Sequence, residues 1–183
     1  MHILKRNLWS TRYLYYYYTR GIPEVPLTVL GDFEIVFAPL TDVYQKYYAQ
    51  LSKVCKRYKL EYLRIKLRNA EPYMVLFLSG EKVAHYSFYA KPNAYFQLRI
   101  IDNSAYVCTS FTIPEFRRRG LHYAAKQVFF SSPVGKNGLQ AWIMIDNIAS
   151  QKSNEKAGLK RIFKFREDIR FGLRFFHIEE YYT

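Results

Sequence analysis

The 183-residue chain has only two cysteines, Cys55 and Cys108, which excludes a disulfide framework and, by themselves, a structural zinc site. Its four histidines, His2, His85, His122 and His177, are scattered without ligand spacing, so no metal centre is expected. Acids are scarce. Asp and Glu number 15 against 28 Lys and Arg, a formal net charge of +13. Long apolar runs are missing too: Tyr73–Leu78, six residues, is among the longest, far short of the ~18–20 a membrane-crossing helix needs. Arg12 interrupts the N-terminal apolar stretch and no small-residue cleavage pattern follows, so a secretory signal is not expected and a reduced, cytoplasmic setting is. Neither an internal repeat nor a low-complexity linker is visible.

What the chain has in abundance is apolar and aromatic surface. Half of its residues are hydrophobic and 19% are aromatic, which excludes a disordered polar chain because that surface must be buried. The length suits one domain, read as 1–183 with residues 1–26 as an aromatic, basic N-terminal extension. The positive charge calls for an anionic partner: nucleic acid, a membrane surface or a phosphate-rich small molecule. Residues 1–20 carry Lys5, Arg6, Arg12 and Arg20, no acid, Trp9 and five tyrosines. This is material for peripheral contact with an anionic membrane, placing the chain at the inner face, or else for a strand or helix packed on the domain.

Gly21, Pro23 and Pro26 separate that segment from a strand at Phe33–Ala38, closed by Pro39. Thr41 or Asp42 can cap a helix with Val43, Tyr47, Leu51, Val54 and Tyr58 at helical spacing. A stretch from Lys56 to Arg68 holds six positive side chains against Glu61. Tyr73–Leu78 and Lys82–Ala90 read as a hairpin through Ser79-Gly80-Glu81. Tyr106–Ile113 reads as a strand with Tyr106, Cys108 and Ser110 on one face, ended by Pro114. Phe116–Phe130 reads as a helix, Leu139–Ile145 as a buried strand, and Asn147–Ala157 as a helix stopped by Gly158. Two last strands, Arg161–Arg166 and Arg170–Ile178, are expected on either side of a Glu167-Asp168 turn. The order predicts a mixed α/β (α+β) fold, largely antiparallel, with one parallel βαβ unit over 106–145.

The most informative stretch joins that fourth strand to its helix: Pro114, Glu115, Phe116, then Arg117, Arg118, Arg119, Gly120, Leu121 and His122. A helix N-terminus offers unpaired N–H groups and partial positive charge, so phosphate oxygens bind there. Gly120 permits close approach of a ligand to the backbone, and the arginines add forked, charged donors. A solvated basic turn is the plain alternative.

Arg117-x-x-Gly120 after a strand resembles the acyl-CoA pyrophosphate loop of the GNAT superfamily of N-acyltransferases, usually R/Q-x-x-G-x-G/A. A second match, Asn147-x-x-Ser150-x-x-x-Asn154-Glu155-Lys156-Ala157-Gly158-Leu159, is similar to the family's N-x-x-A-x-x-x-Y-x-K-x-G-F on the helix after the fifth strand. The resemblance covers roughly residues 73–178. It implies a mostly antiparallel sheet of about six or seven strands, flanked by helices, with a central splayed parallel pair that admits acetyl-CoA. It also implies that the backbone of Phe111, Thr112 and Ile113 pairs with the pantetheine arm. The amides of Arg118, Arg119, Gly120, Leu121, His122 and Tyr123 would then hold the pyrophosphate, with Arg117 adding charge. Asn147 and Ser150 would touch the pantetheine or thioester end, and Asn154 or Lys156 the thiol or nucleotide side.

His122, Asn154 and Leu159 depart from the family pattern; His122 narrows the phosphate approach, lends it an imidazole, or lies on the helix's outer face. Asn154 stands where the usual tyrosine acid would be, so its amide is the candidate hydrogen-bond donor to the departing sulfur. His85, central in the expected sheet, is the candidate base or relay, beside the plain reading of a hydrogen-bonded imidazole. The activity implied is transfer of an acetyl group to a primary amine, the aromatic excess favouring an amino sugar or its nucleotide-linked form, of the kind used in surface polysaccharides. The alternatives are a catalytically degenerate acyl-CoA binder and a basic nucleic-acid module, the latter without an RRM, KH or zinc signature.

Overall fold

The computed structural model describes residues 9–20, 31–55, 59, 62–63, 69–92, 104–171 and 173–182. Eight strands and three α-helices are present among them: β1 Trp9–Thr19, β2 Glu34–Pro39, α1 Leu40–Val54, β3 Asn69–Ser79, β4 Lys82–Pro92, β5 Ala105–Thr112, α2 Leu121–Phe130, β6 Leu139–Met144, α3 Ile148–Lys156, β7 Lys160–Arg170 and β8 Leu173–Tyr181. The fold is mixed α+β and mostly antiparallel. Two compact units divide it, one within Arg20–Leu139 and the other within Met1–Thr19 with Gln140–Thr183.

In the Arg20–Leu139 unit the strand order is β2-β3-β4-β5, each pair antiparallel. Helix α1 presents Leu40, Val43, Tyr47 and Leu51 to Met74, Leu76, Leu78, Tyr86 and Phe88 on one face of these strands. Each of these buried side chains contributes about 1.5–3 kcal/mol. The helix begins at Leu40 with Pro39 at its N-cap and no side-chain cap, so the cap lies before both Thr41 and Asp42; Asp42 instead lies in the first turn, where its charge suits the helix dipole. The alternate positions of β4 face α2, where Phe129 stacks on Tyr89 at 4.3 Å and meets Phe37 edge-on.

Strand β5 does not keep strict alternation. Its register against β4 shifts between Phe88 and Tyr89, pairing Phe88 with Thr109 but Tyr89 with Val107. Cys108 is the extra residue of this bulge and packs on the α1 side, whereas Ser110 bonds Ser87 among the residues facing α2. The expected common face for Cys108 and Ser110 is therefore wrong: one inserted residue moves everything beyond it to the other side.

In the second unit the order is β6-β1-β7-β8. Strand β1 runs antiparallel to β7 from Trp9 to Tyr18. Tyr16 stacks on Phe163 at 4.7 Å, and Tyr16 and Tyr17 are fully buried. These tyrosines are core, not a free arm. Tyr17 donates to Glu155 at 3.0 Å and accepts from Arg161, whose guanidinium lies 4.0 Å above Tyr15.

Glu167 and Asp168 do not form a turn. Both are buried within β7, and the chain reverses at Phe171. Asp168 accepts from Thr11 at 2.7 Å and Arg166 at 3.2 Å, with His177 3.6 Å away. Partners from β1 and β8 satisfy a carboxylate that, read locally, suggests a turn.

Candidate active site

A 3-10 turn at Pro114–Phe116 follows β5, and Gly120 forms the N-cap of α2. The helix predicted over Phe116–Phe130 thus starts at Leu121, and Arg117, Arg118, Arg119 and Gly120 form the connecting turn. Arg118 and Gly120 are both left-handed, with φ of 66° and 75°. The first is a strained choice for a side-chain-bearing residue. A Cβ built on Gly120 meets nothing within 4 Å, so the space over the N-cap is open. No carboxylate among the described residues pairs with Arg117, Arg118 or Arg119; Glu115 instead reaches Lys82 at 3.7 Å. Arg117 lies over Phe111 and donates to the carbonyl of Thr112, while Arg119 lies over Phe116. The turn thus joins exposed cations, an open glycine N-cap and the first free amides of a helix, the donor set an anionic phosphate requires.

Behind this turn lies a chain of hydroxyls and an imidazole. Ser110 and Ser87 are 2.6 Å apart, Ser87 meets His85 Nε2 at 2.7 Å, and His85 Nδ1 meets Thr112 at 2.7 Å. His85 and Ser87 are fully buried, so the half-buried Ser110 and Thr112, both on β5, are its outer ends. The His122 ring is turned toward His85, 5.9 Å between centroids, rather than lying on the outer face of α2. Lys126, one helical turn further, is fully buried. Burial, then the charge of Lys126, pushes the His85 imidazole down to about 3. Burial, Lys126 and His85 together push His122 down to about 2, and burial pushes the Lys126 amine down to about 7. Both imidazoles are therefore neutral at physiological pH, where each can donate through one nitrogen and accept through the other.

Thr112, Ile113, Leu121 and Tyr123 lie with these groups in the Arg20–Leu139 unit. Asn147, Ser150, Asn154 and Lys156 belong to the other unit, on and before α3. There Asn147 caps the helix by accepting from Ser150 N at 3.2 Å. Asn154 is buried, and its Nδ2 donates to the Ser150 carbonyl at 2.7 Å. Its Oδ1 is buried without a hydrogen-bond partner among the described residues. The atom that Asn154 has to spare is an acceptor. Lys156 is exposed in the last turn of α3.

Sequence reading missed Ser87 and Lys126 as site residues. Lys126 had a weak signal, since it falls four residues after His122 on α2, in the row beside Leu121, Ala125 and Phe129. Ser87 had none. Among the described residues no group of three or more His, Cys, Asp or Glu is placed to hold a metal.

The arrangement of strands and helices is similar to that of solved GNAT-family acetyltransferase structures. Three solved structures illustrate the likeness. A GCN5-related N-acetyltransferase-like protein from Streptococcus suis matches 97% of this chain and 66% of its own, at 13% identity and a TM-score of 0.54. A GNAT-family acetyltransferase from Colwellia psychrerythraea matches 95% and 57%, at 11% identity and a TM-score of 0.51. A tandem GNAT protein from the clavulanic acid biosynthesis pathway matches 93% and 54%, at 14% identity and a TM-score of 0.54. The chain thus spans about half to two-thirds of the length of these proteins. No family model matches the sequence, and no curated protein matches it.

Proposed function

We propose that the chain is an N-acetyltransferase that carries an acetyl group from acetyl-CoA to a primary amine. The observation that carries this reading is the turn before α2, where Arg118 and Gly120 are left-handed and three exposed arginines surround an open helix N-terminus. In a GNAT fold this is the turn that the family's pyrophosphate loop occupies. Its amides and arginines suit a diphosphate, and β5 offers backbone at Phe111, Thr112 and Ile113 for the pantetheine amides. Acetyl-CoA supplies a thioester whose carbonyl a neutral amine would attack: the C–N bond forms, the C–S bond breaks, and the proton the amine gives up ends on the departing coenzyme A sulfur or in solvent.

The protein's share is to align the amine, take up its proton and stabilise the oxyanion, the last by strand N–H groups of β5. His85 acts through Ser87 and Ser110. Its neutral ring sets the direction of the two hydroxyls, so that Ser110, at the half-buried end, meets the amine. Asn154, in the other unit, has a spare acceptor at Oδ1 where the resemblance to the family implies a sulfur-directed donor. An amino sugar or its nucleotide-linked form is the first acceptor to try, because exposed aromatic faces such as Tyr48 and Phe111 stack on sugar rings.

The test is ligand-induced stabilisation. Acetyl-CoA at a hundred times its Kd is expected to stabilise the fold by about 2.7 kcal/mol, read as a raised Tm. Gly120→Glu should abolish the shift by placing negative charge at the phosphate position. Gly120→Ala, which shares the left-handed strain but adds no charge, should cost about 1–2 kcal/mol of stability yet retain part of the shift. An unmoved wild-type Tm, with generic RNA raising it instead, overturns the reading in favour of a nucleic-acid module. Firm binding with no amine acetylated favours the degenerate binder.

Turnover provides a second check. Asn154→Ala is expected to lower kcat/KM about tenfold, equivalent to about 1.4 kcal/mol. Complete loss of kcat with acetyl-CoA binding intact would show that position 154 carries an essential chemical step.

A further inference from the structure

Two cross-strand pairs of β4 and β5 form one continuous hydrogen-bonded chain. Register sets Ser87 opposite Ser110 and His85 opposite Thr112, so both pairs project to the same face. Ser110 lies 2.6 Å from Ser87, Ser87 lies 2.7 Å from His85 Nε2, and His85 Nδ1 lies 2.7 Å from Thr112. All three are at the short end of hydrogen-bond lengths. The middle of the chain is fully buried, while Ser110 and Thr112 are half-buried. It therefore starts and ends on β5 and passes through the interior between. The bulge at Cys108 makes it continuous: without the extra residue Ser110 would pair with Tyr86, on the α1 side.

The chain has two polarities, and the contacts suit both. A neutral imidazole donates from one nitrogen and accepts at the other, and a hydroxyl does both. In one polarity Ser110 donates to Ser87, Ser87 to Nε2, and Nδ1–H to Thr112. In the other, Thr112 donates to Nδ1, Nε2–H to Ser87, and Ser87 to Ser110. Every polar atom of the chain is paired either way, so burial favours neither. The first polarity leaves Ser110 with lone pairs facing outward, and the second leaves it with a proton. A charged ring is not part of this exchange. Among the described residues the charge that acts on His85 belongs to Lys126, itself a cation, and no carboxylate offsets it.

We propose that Ser110, Ser87, His85 and Thr112 form a reversible proton conduit that acts first as base and then as acid, with Thr112 as its outlet to water. The role rests on the acetyltransferase reading, with Ser110 beside the reacting carbon. As the amine attacks, its proton passes to Ser110, the proton of Ser110 to Ser87, and that of Ser87 to Nε2. The Nδ1 proton passes to Thr112, whose own proton enters water. His85 has changed tautomer, and no group is left charged. As the C–S bond breaks, the same path runs backward: water returns a proton at Thr112 and Ser110 gives one to the sulfur. The amine nitrogen and the sulfur share one carbon in the tetrahedral intermediate, so one hydroxyl serves both. The net result is an amide and coenzyme A thiol, with the conduit restored.

The first arm of the test needs no substrate. Nitrogen-15 NMR of the His85 ring, assigned by its loss in His85→Gln, should show both tautomers exchanging in the wild type. Ser87→Ala should leave only the Nδ1–H form and Thr112→Val only the Nε2–H form, because each removes the partner of one nitrogen. A wild type held in a single tautomer overturns the proposal. The second arm is release of coenzyme A thiol from acetyl-CoA, with glucosamine and hydroxylamine as probe amines. Thr112→Val should lower kcat about a hundredfold and leave the KM for acetyl-CoA within about twofold, since the β5 backbone is unchanged. Thr112→Ser should restore kcat. In mixtures of light and heavy water the wild-type kcat should fall along a curve, as several protons move together. A Thr112→Val enzyme that turns over at the wild-type rate overturns the proposal. A wild type that exchanges tautomers yet releases no thiol with either amine fails the acetyltransferase reading, whereas a fixed tautomer fails the conduit alone.

Discussion

Lowering the pH from 7 to 5 is expected to cost the folded chain about 4 kcal/mol, a large part of the roughly 5–15 kcal/mol that holds a domain together. The source is His85 and His122, whose imidazoles are held down to about 3 and about 2 by burial and by Lys126. An unfolded histidine titrates near 6.5. Below that pH the unfolded chain takes up two protons that the native state refuses until far lower pH, and stability falls by about 1.4 kcal/mol per pH unit for each ring. Above about pH 6.5 these two rings contribute no slope. Lys126 extends the trend upward. Its native value near 7 lies below its unfolded value of 10.5, so stability should go on rising from pH 7 toward 10.5. Urea unfolding midpoints measured across this range provide the check. His122→Gln should halve the loss between pH 7 and 5, and Lys126→Met should remove the rise above neutrality. If both variants run parallel to the wild type, the three groups titrate normally and are not buried as described.

Gly135→Ala is expected to destabilise the chain by at least about 3 kcal/mol, although it adds a single methyl group. A Cβ at this position would collide with the Phe129 carbonyl oxygen and lie 2.7 Å from Phe130 Cα and 2.9 Å from the Phe129 carbonyl carbon. All three are backbone atoms at the C-terminal end of α2, so no side chain can swing aside. Relief requires moving the end of the helix, and with it the Phe129 ring that stacks on Tyr89. Gly31→Ala is the control, because a Cβ there meets nothing within 4 Å and the residue has no left-handed φ. Chemical denaturation of the two variants should separate them clearly; a Gly135→Ala loss below about 1 kcal/mol would mean that the α2 terminus is softer than its packing implies.

Much of this architecture was legible before any coordinates. The period-2 runs at 73–78 and 82–90, the helical spacing of Val43, Tyr47, Leu51 and Val54 (Tyr58, the next position read, lies outside the described residues) and the capping asparagine and terminal glycine of α3 are local signals, acting over a few residues, and they placed the elements close to where they fall. The strand–turn–helix with its arginines and glycine was legible for the same reason. So was the GNAT-type order of elements. The turn at Glu167-Asp168 was misread because two adjacent acids locally favour a turn, while the partner that buries Asp168 in a strand, Thr11, lies 157 residues away. The bulge at Cys108 left no local mark, yet it decides that Ser110 joins Ser87 and His85 rather than the α1 core.

By itself the sequence determined the class of fold, the basic loop before α2 and the residue types available for chemistry, because propensity, periodicity and charge act at short range. Only the tertiary structure decided that Tyr16 and Tyr17 are core, that the half-buried His122 joins the fully buried His85 and Lys126 in one cluster, and that Asn154 has an acceptor to spare. Burial and partnership are set by strands and helices packing across long stretches of chain. Desolvation then gives those ordinary side chains their unusual protonation.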